Sequence, residues 1–114
     1  MALDRGKLTN VVQVSAATTV GIITCASNKK VYVKSIIAHA PYTGIASGTA
    51  QVYFCPTGVT SSYTNRIFDL DISSGETVLV EPSYPLVLGA TGESIQVCTG
   101  TSEINFIITG DKEA

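Results

Sequence analysis

Short runs of β-branched and aromatic residues, each closed by turn-forming residues, recur along the whole chain. The runs are rich in Val, Ile, Thr, Tyr and Phe, and each is closed by Gly, Pro, Ser, Asn or Asp. Successive runs are spaced about 8–12 residues apart. No window places apolar residues at i, i+3, i+4 and i+7 with good helix formers between them. The pattern therefore predicts an all-β fold.

The turn residues divide the chain into eight or nine short strands. The predicted strands are residues 8–14, 18–26, 30–40, 49–55, 65–72, 76–81, 86–88, 93–99 and 103–110. Residues 42–48 and 57–64 are predicted polar loops, and residues 111–114 are a predicted charged tail. With 114 residues, the chain has room for one core. We expect a single domain over residues 1–114, a two-sheet antiparallel β-sandwich of Ig-like or jelly-roll type.

Alternation within the strands indicates which side chains face the core, because successive side chains of a strand point to opposite faces. The predicted core residues of strands 65–72 and 103–110 are Phe68, Leu70, Ile72, Ile104, Phe106 and Ile108. In strand 30–40 the alternation breaks at residues 35–37. Either a β-bulge or burial on both faces of the strand explains this break.

The composition argues against disorder and raises the question of a partner. Hydrophobic residues make up 45% of the chain and the mean hydropathy is +0.31, which is enough apolar area to offset the entropy of ordering. Charged residues make up only 14%, against roughly a quarter in ordinary soluble domains. Either a partner covers part of the surface, or the chain is simply a β-protein rich in Thr, Ser and Gly.

The charge pattern bounds the classes of partner. The net charge is −2, and only Lys29, Lys30 and Lys34 cluster among the basic residues, with no aromatic platform between them. We therefore expect no nucleic-acid partner. No apolar run approaches the roughly 20 residues of a membrane helix. The first residues lack the apolar stretch of a secretory signal, so we expect folding in a cytoplasm and no membrane partner.

The three cysteines show no metal or redox spacing. Cys25, Cys55 and Cys98 are isolated from one another and each lies in an apolar, strand-like run. A free cysteine in such a run usually behaves as a small buried hydrophobe. The alternative is an intermolecular disulfide, since the count is odd.

The search for catalytic residues gives no motif. His39 is the only histidine, and no nucleophile motif or acid stands beside it, so we expect a strand-end histidine with a structural hydrogen bond. Asp69 and Asp71 lie on one face of a strand, as half of a cation site or, more simply, as a solvated face. No glycine-rich phosphate loop occurs.

We expect no enzyme activity, no metal and no cofactor. The tyrosines are expected in packing rather than in a sugar-binding groove.

Four segments carry a resemblance to a known class of proteins. They are TCASNKKVYVKSIIAHAP, SGTAQVYFCPTG, NRIFDLDISSGETVLVEPSYPLVLGATGESIQV and EINFIITGDKEA. In this order they resemble the small β-sandwich virion proteins of tailed bacteriophages. The similar proteins are capsid decoration (cement) proteins and related neck, tail and fibre modules.

The resemblance implies a virion protein that reinforces the assembled head. Its partners would be the major capsid protein or other virion subunits. The resemblance also implies a homo-oligomer, with a trimer favoured. The alternative is a tail, neck or fibre module that is structural or binds a receptor or carbohydrate.

Residues 1–10 are a candidate arm that adds a strand to a neighbouring subunit, or else the first edge strand of their own sandwich. The arm and the two polar loops supply the candidate interaction residues, since loops on a rigid scaffold commonly bind. These residues are Leu3, Arg5, Lys7, Tyr42, Thr43, Ile45, Val59 and Tyr63.

Overall fold

The computed structural model describes residues 3–14, 19–27, 29–41, 47–100 and 103–113, without the side chains of residues 3, 4, 47 and 48. The described residues form ten strands and one turn of 3₁₀-helix, η1 (Tyr63–Asn65). The strands are β1 (Leu3–Lys7), β2 (Val12–Val14), β3 (Thr19–Thr24), β4 (Val31–His39), β5 (Ser47–Cys55), β6 (Arg66–Ser73), β7 (Thr77–Val80), β8 (Leu86–Leu88), β9 (Ser94–Thr99) and β10 (Ile104–Glu113). Within these ranges, no helix is long and apolar enough to cross a membrane.

The pairing of the strands is that of one long hairpin rolled on itself. β5 pairs with β6 at the tip, β4 pairs with β7 and β8, β3 pairs with β9, and β2 pairs with β10, all antiparallel. Rolling adds the pairs β4·β10 and β5·β9. The product is a jelly roll, so the two topologies left open by the sequence are resolved in favour of that one.

The two sheets each have four rows of strands. Sheet A has the order β1/β2, β10, β4, β7/β8, and sheet B has the order β3, β9, β5, β6. The molecule measures 46 × 27 × 22 Å. Four strands about 4.8 Å apart make a sheet that is only wide enough for one of the two shorter dimensions. The long axis of the molecule therefore runs along the strands. We call the end where β4 begins the lower end and the end where β4 finishes the upper end.

The core lies between the sheets and follows the predicted alternation. Phe106, Ile104 and Ile108 of β10 and Ile72 of β6 are fully buried, and Phe68 and Leu70 pack against them partly exposed. Each fully buried apolar side chain contributes roughly 1.5–3 kcal/mol. The predicted core faces of these two strands are therefore confirmed.

A β-bulge in β4 explains the break in its alternation. Thr109 pairs with Ser35 and Gly110 pairs with Val33, which leaves Lys34 as the extra residue on β4. A Cβ at Gly110 would lie 1.9 Å from the carbonyl oxygen of Tyr32. The bulge therefore requires glycine at this position, and it lies one residue before the predicted break.

Two predicted segments differ clearly from the structure. Of the predicted strand 8–14 only the last three residues, Val12–Val14, are a strand, and residues 8–11 connect it to β1, which ends at Lys7. The predicted charged tail forms the last part of β10, which continues to Glu113 and pairs with β1 on one side and with β4 on the other. Asp111 in this part is buried, with 6% of its surface exposed.

Candidate interaction surface

The first group of predicted interaction residues lies in β1. This strand pairs with the end of β10 from Leu3 opposite Glu113 to Lys7 opposite Thr109, so it is an edge strand of its own sheet. The Nζ atom of Lys7 donates a hydrogen bond to Asn10 Oδ1 at 2.8 Å. The backbone of Leu3 is part of the strand, and its side chain lies outside the described ones.

A three-residue charge cluster ties β1 to the middle of sheet A. The carboxylate of Asp111 lies 2.8 Å from the Nζ atom of Lys34 and 3.9 Å from the Nε atom of Arg5. Lys34 reaches Asp111 from the bulge, because the extra residue turns its side chain to the outer face. The three strands β1, β10 and β4 thus share one buried carboxylate.

Two residues of the second predicted group, Val59 and Tyr63, lie among the described residues. Val59 and Tyr63 lie in the connection from β5 to β6 at the lower end and are 45% and 80% exposed. The Oγ atom of Ser62 accepts a hydrogen bond from the amide of Thr64 and caps η1. Tyr42, Thr43 and Ile45 lie outside the described residues; the flanking strand ends His39 and Ser47 are at the upper end.

Sequence reasoning missed an apolar band across the outer face of sheet A. Ile107, Ile37 and Leu79 lie side by side on β10, β4 and β7, at paired positions of the register. Their side chains point away from the core, and Leu79 is 52% exposed. We call these three residues the apolar band. The sequence does show that these strands carry apolar residues on both faces. For β4, burial on both faces was one of the two explanations offered for its broken alternation.

A shallow groove of about 280 Å³ continues the apolar band towards the upper end. It is lined by Val11, Ile37, Ile107 and Phe106 together with His39, Thr77 and Asn105. The Nδ1 atom of His39 shares a 2.8 Å hydrogen bond with Thr77 Oγ1, which confirms the predicted structural role of this histidine. Within the described part of the chain, Asn105 Oδ1 is buried without a hydrogen-bond partner.

Further exposed apolar side chains stand beside the band on the edge row β7/β8. Val87 is 41% exposed at the position paired with Tyr32, and Tyr84, in the connection before β8, is 86% exposed. The outer face and edge of sheet A therefore expose several large apolar groups.

The cysteines are free thiols with different accessibilities. Cys25 and Cys55 are buried as predicted, whereas Cys98 is half-buried, so for Cys98 the expectation of burial is wrong. The Sγ atom of Cys25 donates to the carbonyl oxygen of Lys29 at 2.9 Å. Burial raises the pKa of Cys25, and the nearby carboxylates of Glu93 and Glu113 raise it further. Burial also raises the pKa of Cys55.

The two aspartates of β6 face solvent on the outer edge of sheet B. Asp69 is paired with Arg66 at 3.9 Å, and Asp71 Oδ1 accepts a 3.5 Å hydrogen bond from Thr49. Over residues 3–14, 19–27, 29–41, 47–100 and 103–113, no group of three His, Cys, Asp or Glu side chains is placed to hold a metal ion.

Comparison with known proteins relates the chain by fold. No protein-family model and no curated protein matches it. A protein of Bacillus endospore appendages, described as disulfide-linked pili, matches with a TM-score of 0.56 at 15% identity over 98% of this chain and 88% of that one. Proteins of the Gt and Gx strains of infectious bursal disease virus match with TM-scores of 0.41 at 10% and 11% identity; this chain spans 30% and 32% of their lengths.

The fold and the surface together define a class. The chain is a small jelly-roll β-sandwich with an apolar band on the outer face of one sheet, and its fold is similar to that of the endospore appendage protein. The resemblance to bacteriophage virion proteins has no counterpart among these matches and stays a prediction.

Proposed function

We propose that the chain is a structural subunit of a repetitive protein particle and that it catalyses no reaction. The apolar band carries this proposal. Ile107, Ile37 and Leu79 form a continuous apolar row on the face of sheet A that does not contact the core. Burial of such a row against a neighbouring subunit is favourable by about 25 cal/mol per Å² of apolar surface.

The particle that we propose is the head of a tailed bacteriophage, with the chain as a capsid decoration protein. The support is the resemblance of the segments between residues 20 and 110 to such proteins. In this role the band would face the major capsid protein or another copy of the chain, and the particle would be assembled in the host cytoplasm.

A homopolymeric filament is the second candidate. It is favoured by the endospore appendage protein, which shares the fold over 98% of this chain and 88% of its own and is described as forming pili. The three thiols here are free within one chain, and the half-buried Cys98 is the most accessible of them to a neighbour.

A substitution in the apolar band tests the proposal. We expect Leu79→Asp to weaken self-association or particle binding at least about tenfold, because a carboxylate would be desolvated in the packed face. Gln13→Asp is the matched control, since Gln13 is exposed on the outer face of the same sheet. Sedimentation velocity measures the effect, with circular dichroism to show that both variants fold. Equal assembly of the two variants would contradict a role of the band.

A further inference from the structure

The two ends of the sandwich differ in charge. The lower end and the strand residues next to it carry Arg5, Lys29, Lys30, Arg66 and Lys112. The upper end carries Asp71, Glu76 and Glu103, all exposed, and no Lys or Arg is among the described residues of this end. The long axis of the molecule therefore joins a basic end to an acidic end.

The carboxylates of the lower end are already engaged within the chain. Glu93 Oε1 accepts hydrogen bonds from the amides of Gly89 and Ala90, each at 2.8 Å. Glu113 Oε1 accepts from the amide of Lys30 at 2.6 Å. Asp111 is buried against Lys34. With Lys34 and Asp111 counted as a pair, five basic side chains remain at the lower end (Arg5, Lys29, Lys30, Arg66 and Lys112) against three acidic ones (Asp4, Glu93 and Glu113), so this end has a net positive charge.

A cleft opens between the two sheets at the lower end. Its volume is about 410 Å³, and its walls come from Leu8, just after β1, Val31 of sheet A and Ile23 of sheet B. The exposed side chains of Lys29, Lys30 and Lys112 line the same cleft together with the single carboxylate of Glu113, so basic groups are in excess there. The lower end therefore combines an apolar floor with a basic rim, which is suited to an acidic protein segment.

We propose that the acidic upper end of a second copy docks on the basic cleft of the lower end, so that subunits join head to tail. The argument is charge complementarity between two ends of the same chain, with the apolar floor of the cleft providing area to bury. Single exposed ion pairs contribute little to affinity, but complementary fields set orientation and speed encounter. This inference rests on the proposed structural function and names the mode of contact.

A head-to-tail contact has a consequence for the particle. It uses two different patches, so it is heterologous, and it closes into a ring or continues as a filament depending on the rotation between copies. The same contact therefore serves a decoration ring or a homopolymer.

Charge reversal at one end at a time tests the inference. The basic-end variant carries Lys29→Glu and Lys112→Glu, and the acidic-end variant carries Asp71→Lys and Glu103→Lys. Glu76 is left intact because its Oε1 atom accepts from the amide of Ser73 in its own turn. At low salt, where charges are screened least, we expect each variant alone to associate at least about tenfold more weakly than the natural chain, and an equimolar mixture of the two to regain association.

The control is Lys7→Glu with Glu81→Lys, two reversals near the middle of the long axis, which we expect to leave association unchanged. Sedimentation velocity measures all the proteins, and circular dichroism shows that they fold. Undiminished association of the two end variants, or no recovery in the mixture, would overturn head-to-tail docking and leave the structural function standing. A natural chain that binds particles but does not self-associate would also overturn it. If the chain neither self-associates nor binds particles, the structural function fails as well.

Discussion

At the scale of single residues, Gly110 has the least room for a side chain among the glycines whose surroundings the structure describes. It lies opposite the bulge of β4, where any side chain would meet the backbone carbonyl of Tyr32 at 1.9 Å. Because the obstacle is backbone rather than a flexible side chain, the strand pair itself must move to accept a larger residue.

We expect Gly110→Ala to lower the free energy of unfolding by about 3 kcal/mol, through separation of β4 and β10 at the bulge. Urea denaturation measures this change. Gly21→Ala is the control in a strand, since a Cβ there meets only the Cγ atom of Gln96 at 3.9 Å. The assignment of the bulge would be wrong if both variants were equally stable.

The thiols give a second test at this scale. Cys25 and Cys55 are buried and their pKa is raised, so in the folded chain both stay protonated at pH 8. We expect Cys98 to react first with a thiol reagent, and the other two only as the chain unfolds, as followed by mass spectrometry. Rapid labelling of Cys55 in the folded chain would contradict its burial.

The raised pKa of these thiols also sets the direction of a pH dependence. Folding favours the protonated thiol, so this contribution to stability is fully present below the ordinary pKa of 9.0 and is lost as the pH rises above it towards the raised value. We expect the difference in unfolding free energy between pH 7 and pH 10 to shrink when Cys55 is replaced by Val.

At the scale of elements, the sequence predicted most strands closely, but not β1 or the last part of β10. The strand at 86–88 coincides with β8, and those at 93–99 and 103–110 overlap β9 and β10, because alternation and turn residues bound them on both sides. β1 was anticipated only as one of two alternatives for residues 1–10, because Arg5, Gly6 and Lys7 carry no strand pattern. It is a strand through its pairing with the charged end of β10, which pairs with β4 on its other side.

The apolar band escaped prediction for a related reason. An apolar residue on a strand is equally consistent with a core and with an exposed face, and only the register of β10, β4 and β7 brings Ile107, Ile37 and Leu79 into one row. A single sequence contains the alternation of each strand but not the pairing between strands that are distant along the chain.

Removal of β1 tests its place as an edge strand. We expect a chain that begins at Leu8 to fold with an unfolding free energy lower by roughly 1–3 kcal/mol, because β10 loses five paired positions and Asp111 loses Arg5. Self-association should stay within about threefold of the full chain, because the lysines that line the cleft lie outside β1 and the loss of Arg5 is offset by the loss of Asp4. Loss of association without loss of folding would instead indicate that β1 is donated to a neighbouring subunit.

At the scale of the whole molecule, the jelly roll places three different surfaces in fixed relation. The apolar band lies on the outer face of sheet A, and the basic and acidic ends lie at opposite ends of a molecule 46 Å long. A subunit of this kind can make one contact through its face and another through its ends, which is what a lattice or a filament requires.

The concentration dependence of the mass in solution tests the central proposal most directly. Sedimentation velocity of the full chain at low salt, from micromolar to millimolar concentration, should give a weight-average mass that rises above the 11.9 kDa of the monomer. The rise should be smaller in high salt, since screening weakens the contact between the charged ends. A monomer at every concentration and salt level would contradict the account of the chain as a self-assembling structural subunit.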